Sequence, residues 1–456
     1  MALKSINPAD GSLLKEFEEW NESHVDQALH GAAVAALAWS RLAMEERAAY
    51  LSKIAEILRA GAERLAHLIT LETGKLITEA RAEVDKCAWV CDHYAEHGPA
   101  WLADETVASD AGRSYVAYQP LGTVLAIMPW NFPLWQVFRF AAPALVAGNT
   151  ALLKHASNVP QCALAIERIC DDAGLPAGVF QTLLLASSQE VMERIIGDPR
   201  VHAVTLTGSE GAGRKVAAMA GAHLKKTVLE LGGSDPFIVL DDVDLDETVK
   251  VAVAARFLNA GQSCIAAKRF IVVEPIAEDF VARFQARVEE LSAGDPSDEA
   301  TTLAPMARAD LRDDLHRQVT ASIERGAVPI TGCAPLARAG WYYAPSLLDH
   351  VRAGMPAYDE ELFGPVAAVV RARDQADAVR IANDSRYGLG GSVWTGDTAR
   401  GERAALQLRC GCAFVNGMVK SDPRLPFGGI KASGYGRELS YHGLREFVNV
   451  KSVWIR

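Results

Sequence analysis

The sequence predicts an α/β protein of two lobes, each built around a mostly parallel sheet. Three observations lead there. From Val116 onward, short apolar runs bounded by Gly and Pro alternate with amphipathic stretches, and strands alternating with helices build βαβ units covered on both faces. The alternation runs twice, once before Gly233 and once after it. The chain has 456 residues, more than one ordinary core supports, so two or three domains are expected.

Taken in order, Tyr50, Ile54, Ile57, Leu58, Leu65 and Leu68 recur at helical spacing, which predicts an amphipathic helix over 45–70, interrupted near Gly61. The first strand series is Thr123–Met128, Thr150–Leu153, Val201–Thr207 and Thr227–Leu231, with helices over 160–173 and 188–196. The second runs from strand Phe237–Leu240 through helix 244–258, strand Phe270–Val273 and helix 278–292. It continues with strand Val366–Val370, helix 374–383, strand Gly391–Trp394, helix 398–409 and strand Ala413–Val415. The apolar run from Phe140 to Leu153, broken by Pro143, Gly148 and Asn149, is too short to span a bilayer and is assigned to the core. Phe447 to Ile455 is strand-like without an obvious local partner, so it pairs with another region or another subunit. The expected division is 1–102 with 121–232 as one lobe and 233–432 as the other, 103–120 and 441–456 being outlying strands.

Half the residues are apolar and 23% are charged, the composition of a globular protein. A formal charge of −11 and the lack of any Lys/Arg run argue against nucleic acid as a partner. The N-terminal residues lack a secretory apolar segment, and the eight cysteines are scattered rather than spaced as a disulfide framework. A reducing cytoplasm is the expected location, and no membrane association is expected.

The chemistry concentrates in three motifs. Cys264 ends Asn259-Ala260-Gly261-Gln262-Ser263-Cys264, Glu230 sits in Leu229-Glu230-Leu231-Gly232-Gly233, and Asn131 in Pro129-Trp130-Asn131-Phe132-Pro133. A thiol nucleophile needs a base and an anion-stabilising donor, which Glu230 and Asn131 can supply. Cys87, Cys91, Cys162, Cys170, Cys333, Cys410 and Cys412 read as small core hydrophobes. Gly208-Ser209-Glu210-Gly211-Ala212-Gly213 follows a strand and opens a helix, either a tight turn or a phosphate cradle. His93 and His97, four apart beside Cys91, mimic a metal face, but Tyr94 stands where a zincin motif has Glu, so an exposed helical face is expected and no metal.

The three motifs together resemble the aldehyde dehydrogenase superfamily over nearly the whole chain, from Ile6-Asn7-Pro8 to Ser433-Gly434-Tyr435-Gly436-Arg437-Glu438. The resemblance implies a Rossmann-like cofactor-binding domain, an α/β catalytic domain and a small β arm that builds a homodimer or homotetramer. It implies that Cys264 attacks an aldehyde, that Asn131 and the Cys264 backbone N–H hold the oxyanion, and that Glu230 activates water. It assigns NAD or NADP to Trp130, Lys154, Ser157, Gly208, Ser209, Gly213, Leu231, Glu361 and Phe363. Ser157 stands where many NAD-preferring relatives carry Glu. A neutral residue there, beside Lys154, tolerates a 2′-phosphate, so NADP is expected to be usable.

Within the superfamily the chain most resembles bacterial succinate-semialdehyde dehydrogenases. Their substrate carries a far carboxylate, for which Arg139, Ser421 and Arg424 are the candidate ligands; an internal ion pair is the alternative reading of Arg139. Leu258 and Ala266 stand where some relatives have a second Arg and a redox-switch Cys. Glutarate semialdehyde or an uncharged aldehyde remains an alternative substrate. A cysteine hydrolase or acyltransferase is the alternative of another class, with His155 as its nearest base.

Overall fold

Two sheets, described in a computed structural model for residues 2–186 and 188–456, meet at the 231–234 loop. The first has six strands in the order Gly434–Tyr435, Lys226–Glu230, Val201–Thr207, Thr123–Met128, Thr150–His155, Phe180–Thr182. All its pairs are parallel except the first. The second has seven strands in the order Val328–Thr331, Ser346–Asp349, Val366–Ala372, Ala267–Val273, Asp235–Val239, Gly390–Trp394, Cys412–Val415, again parallel but for the first pair. The central strands are buried along their whole length, as helices on both faces require, which is why they read as continuous apolar runs.

Local chemistry sets the helix boundaries. The helix expected over 45–70 is two, Met44–Ala60 and Ala62–Thr73, divided at Gly61. Asp244, Asp374 and Asp397 accept N–H groups of the first turns they precede, which starts Leu245–Phe257, Gln375–Asn383 and Thr398–Ala405. Pro160 opens Pro160–Asp172, and the buried Glu72 accepts the N–H groups of Gln161 (3.0 Å) and Cys162 (2.8 Å) there. The 140–153 run is core as expected: the helix Trp135–Val146, with Pro143 inside it, is buried on every side.

Two features differ from the sequence reading, and the C-terminal strand takes the first of its two expected partners, another region of the chain. The strand Val448–Ile455 finds its partner within the chain, pairing antiparallel with Arg113–Pro120 from Val448 opposite Pro120 to Ile455 opposite Arg113. An N-terminal hairpin, Ala2–Ile6 with Leu13–Glu18, and the edge strand Gly434–Tyr435 are too short or too polar to stand out in sequence. The face carrying His93 is not exposed: His93 and Cys91 are buried, and His93 packs on His97 (centroids 4.6 Å apart) and Trp101 (5.4 Å). Among the described residues no His/Cys/Asp/Glu group could hold a metal ion. Nor is any helix of the described residues long and apolar enough to cross a membrane.

Candidate active site

Cys264 leaves the second lobe on a bent loop between the helix Leu245–Phe257 and the strand Ala267–Val273. Asn259, Ala260 and Gly261 all take left-handed backbone (φ 53°, 51° and 71°), a conformation that non-glycine residues keep only when surroundings enforce it. The enforcement is visible. Arg256, fully buried, donates to the carbonyls of Ala267 (3.0 Å), Gly261 (3.2 Å), Leu362 (2.9 Å) and Gly364, stapling the nucleophile loop to the segment carrying Glu361 and Phe363. The Gln262 amide donates to the carbonyls of Asn259 and Pro305 and accepts the Ala307 N–H. Glu79 accepts the Asn259 N–H.

Asn131 is joined to this loop. Its Nδ2 donates to the Gln262 carbonyl (3.0 Å), its Oδ1 accepts from Gln136 Nε2 (3.1 Å), and its carbonyl accepts from Asn259 Nδ2 (3.0 Å). The Gln136 bond fixes which way the amide faces, leaving one N–H for a ligand.

A cavity of about 360 Å³ opens beside Cys264. Phe132, Trp135 and Phe427 wall it, and Arg139, Lys86, Lys420 and Ser421 bring polar groups to it. Burial pushes the Cys264 thiol up to about 12, against the pull of Lys268 and Arg139, so attack needs a proton acceptor. Glu230, at the end of its strand, is buried, and neither carboxylate oxygen has a hydrogen-bond partner among the described residues. Burial first, and the nearby Glu438 second, hold its carboxyl well above the usual carboxylate range. It lies behind the cavity wall, where a Cβ on Gly428 would come 2.6 Å from its Oε1.

The dinucleotide-type residues come mostly from the first sheet and its helices, with Glu361 and Phe363 from the chain after Gly233. Ser209 caps the helix Glu210–Ala222, its hydroxyl accepting the Ala212 N–H. A Cβ on Gly213 would strike Leu231 at 2.5 Å, so glycine lets that leucine lie against the helix, while the flank at Gly211 is open. Lys154 ends its strand buried and is pushed down to about 8 by that burial, with Glu19 as the opposing charge; Ser157, three residues on, is exposed. Trp130 and Phe363 meet edge-on, centroids 5.9 Å apart. Glu361 accepts the Gly233 N–H (3.1 Å) and pairs with Lys268 (3.3 Å), and with Phe363 it lines a second cavity of about 330 Å³. A capped helix N-terminus with an open glycine, a lysine and an aromatic wall fit a dinucleotide.

His155, the base a cysteine hydrolase would need, is committed elsewhere. Its Nε2 meets the Pro133 carbonyl (2.9 Å), its Nδ1 accepts the Ala156 N–H (2.9 Å), and burial lowers it to about 4.

The family model for the aldehyde dehydrogenase family matches residues 1–453. The chain belongs to the aldehyde dehydrogenase family. It is 50% identical over 455 residues, all of both chains, to a probable succinate-semialdehyde dehydrogenase [NADP(+)] of Synechocystis sp.. It is 49% identical to the succinate semialdehyde dehydrogenase [NAD(P)+] of Escherichia coli, covering 99% of this chain and 97% of that one. Among solved structures, the succinic semialdehyde dehydrogenase of Streptococcus pyogenes in complex with NADP+ superposes with a TM-score of 0.97 at 37% identity over the whole of both chains.

For an aldehyde dehydrogenase of this kind, the candidate carboxylate ligands separate on inspection. Arg139 lines the cavity, but its guanidinium is ion-paired with the buried Glu438, lies over the Phe427 ring (4.8 Å) and reaches Thr207 Oγ1 (3.3 Å). The internal-pair reading therefore holds alongside cavity access. Ser421 lines the cavity. Arg424 does not: it is largely exposed, clasps Asp422 two residues away (2.9 and 2.7 Å) and lies over Trp89, because the short loop turns its side chain outward.

Sequence reasoning missed the helix Ile77–Trp101, whose Glu79, Glu83 and Lys86 line the cavity. Glu83 pairs with the buried Lys75 and accepts the N–H groups of Leu134 (2.9 Å) and Trp135 (3.0 Å), capping the helix that carries Gln136 and Arg139. Their i, i+4, i+7 spacing was the one available signal, and a solvated helix face shows the same pattern.

Proposed function

We propose that the protein oxidises succinate semialdehyde, or a similar short aldehyde with a far carboxylate, to the acid, using NADP or NAD. The supporting observation is one cavity that holds Cys264 among aromatic walls and brings cationic side chains to the same space; the names of the similar proteins agree with it. Cys264 gives its proton to Glu230, which passes it to solvent, and the sulfur attacks the aldehyde carbon to form a thiohemiacetal, with the oxyanion held by the free Asn131 N–H and the Cys264 backbone N–H. A bound NADP or NAD supplies the acceptor for the hydride whose loss converts that adduct to a thioester. Glu230, once it swings out from behind the cavity wall, takes a proton from water, and hydroxide cleaves the thioester to release the acid and restore the thiol.

Trp130, Lys154, Ser157, Gly208, Ser209, Gly213 and Leu231, in the lobe formed by 1–102 and 121–232, would hold the cofactor together with Glu361 and Phe363 from the catalytic lobe, 233–432. The strands Arg113–Pro120 and Val448–Ile455, with Val450, Trp454 and Ile455 exposed, form an arm for a homodimer or homotetramer in the cytoplasm.

Absorbance growth at 340 nm on a panel of aldehydes, each run with both cofactors, tests this reading. Succinate semialdehyde should exceed butanal in kcat/KM by about tenfold or more, the size of effect a buried ionic contact provides. Activity with NADP should be at least about a tenth of that with NAD, since no carboxylate repels the 2′-phosphate. A preference for uncharged aldehydes would overturn the substrate.

A further inference from the structure

We propose that Lys86, with the Ser421 hydroxyl, is the anchor for the carboxylate of the substrate and so sets the preference for charged aldehydes. This rests on the reading above that the substrate carries a far carboxylate.

Three observations lead to it. Lys86 and Cys264 line the same cavity, on opposite lobes of the chain. Arg139, the other cation walled into that cavity, already faces Glu438, whereas no carboxylate among the described residues lies within ion-pair distance of Lys86. Lys86 instead donates to Ser421 Oγ (2.8 Å) and lies 4.2 Å from the Trp135 ring centroid. An ammonium group withdrawn from water onto a hydroxyl and an aromatic face is incompletely solvated, and an incoming carboxylate repairs that.

The hydrogen bond also has a direction. An ammonium can only donate, so Ser421 Oγ accepts from Lys86 and its own proton is left to point into the cavity. Lysine and serine thus present two donors to one anion. The charge environment agrees: burial and the neighbouring Arg139 push Lys86 down to about 8, a strain that a bound anion relieves. Of the acids on the cavity, Glu83 is paired with Lys75, and Glu79 turns its carboxylate to the Asn259 N–H (3.0 Å), with burial raising it to about 7. Lys420 lines the same space but is exposed and solvated.

The test is the ratio of kcat/KM for succinate semialdehyde to that for butanal, in the full-length wild type, Lys86→Met, Lys86→Arg and Lys420→Met. Methionine keeps the stem that packs on Trp135 and removes the charge. In Lys86→Met the ratio should fall roughly ten- to hundredfold, mainly through KM for the charged aldehyde. Lys86→Arg should restore much of it, and Lys420→Met, at the exposed edge of the same cavity, should lower it far less than Lys86→Met does. A ratio unchanged in Lys86→Met, or equal loss on both aldehydes, overturns the role of Lys86 while leaving the substrate reading standing. A wild-type ratio near one overturns the substrate reading itself, and the anchor with it.

Discussion

Glu83 and Glu230 are both buried glutamates, and their surroundings are opposite. Glu83 pairs with Lys75 and accepts two backbone N–H groups at the start of the Trp135–Val146 helix. Glu230 has neither carboxylate oxygen hydrogen-bonded among the described residues and has a second glutamate, Glu438, near it. Burying a charge is costly unless it is paired and hydrogen-bonded. The first arrangement meets that demand and holds a helix in place. The second leaves it unmet, which keeps a carboxyl ready to exchange protons.

The largest effect expected from this contrast is on Glu230→Gln. Thioester hydrolysis should slow by roughly a hundred- to ten-thousandfold, the range for loss of a general base. Rapid mixing should show a burst of about one reduced cofactor per site before the slow phase, and thermal stability should not fall. In the wild type, the base form accumulates only as pH rises past the ordinary carboxylate range, so the hydrolytic step should climb with pH above that range. A pH-independent deacylation rate would show that Glu230 is not the base.

Glu83→Gln should behave the other way round. It leaves the buried Lys75 without its counterion, which should cost about 3 kcal/mol of stability and lower Tm by several degrees. Both aldehydes should then suffer alike, because the whole Arg139 helix loosens. A Tm equal to that of the wild type would erase the distinction between the two glutamates. The smallest effect is expected for Arg424→Ala: its partner Asp422 is two residues away and its side chain is largely solvated, so thermal stability should stay close to that of the wild type. Its kinetics on charged and uncharged aldehydes should match the wild type, and a selective loss on succinate semialdehyde would restore it as a substrate ligand.

How far the sequence could be read depended on whether the information was local. The strands Thr123–Met128 and Val201–Thr207 coincide with the expectation from apolar runs, since a strand buried on both faces announces itself residue by residue. Cys264, Glu230 and Asn131 stood out because each sits in a short motif bounded by Gly or Pro, and the three together supply a nucleophile, a base and a donor. Arg139 could be placed on an apolar helix, yet its partner Glu438 lies 299 positions on and could not be named from spacing. Lys86 was invisible for the opposite reason. On an amphipathic helix rich in Glu, Asp and Arg, one more lysine resembles solvent-facing charge, and only the closing of the second lobe over that face turns it inward. The His93 face misled similarly: with Tyr94 in place of the zincin Glu an exposed face was expected, while Trp101 packs on His93.

Arg256 has a consequence for engineering. One planar guanidinium serves carbonyls on both sides of the gap between the Cys264 loop and the Glu361 segment, so the two segments are tied into a single block. Lysine could not replace it, having three donors on one point rather than a flat fork. Attempts to retune cofactor choice through residues 361–364 would therefore also retune the nucleophile, whereas changes at Ser157, on the far lobe, would leave the thiol undisturbed.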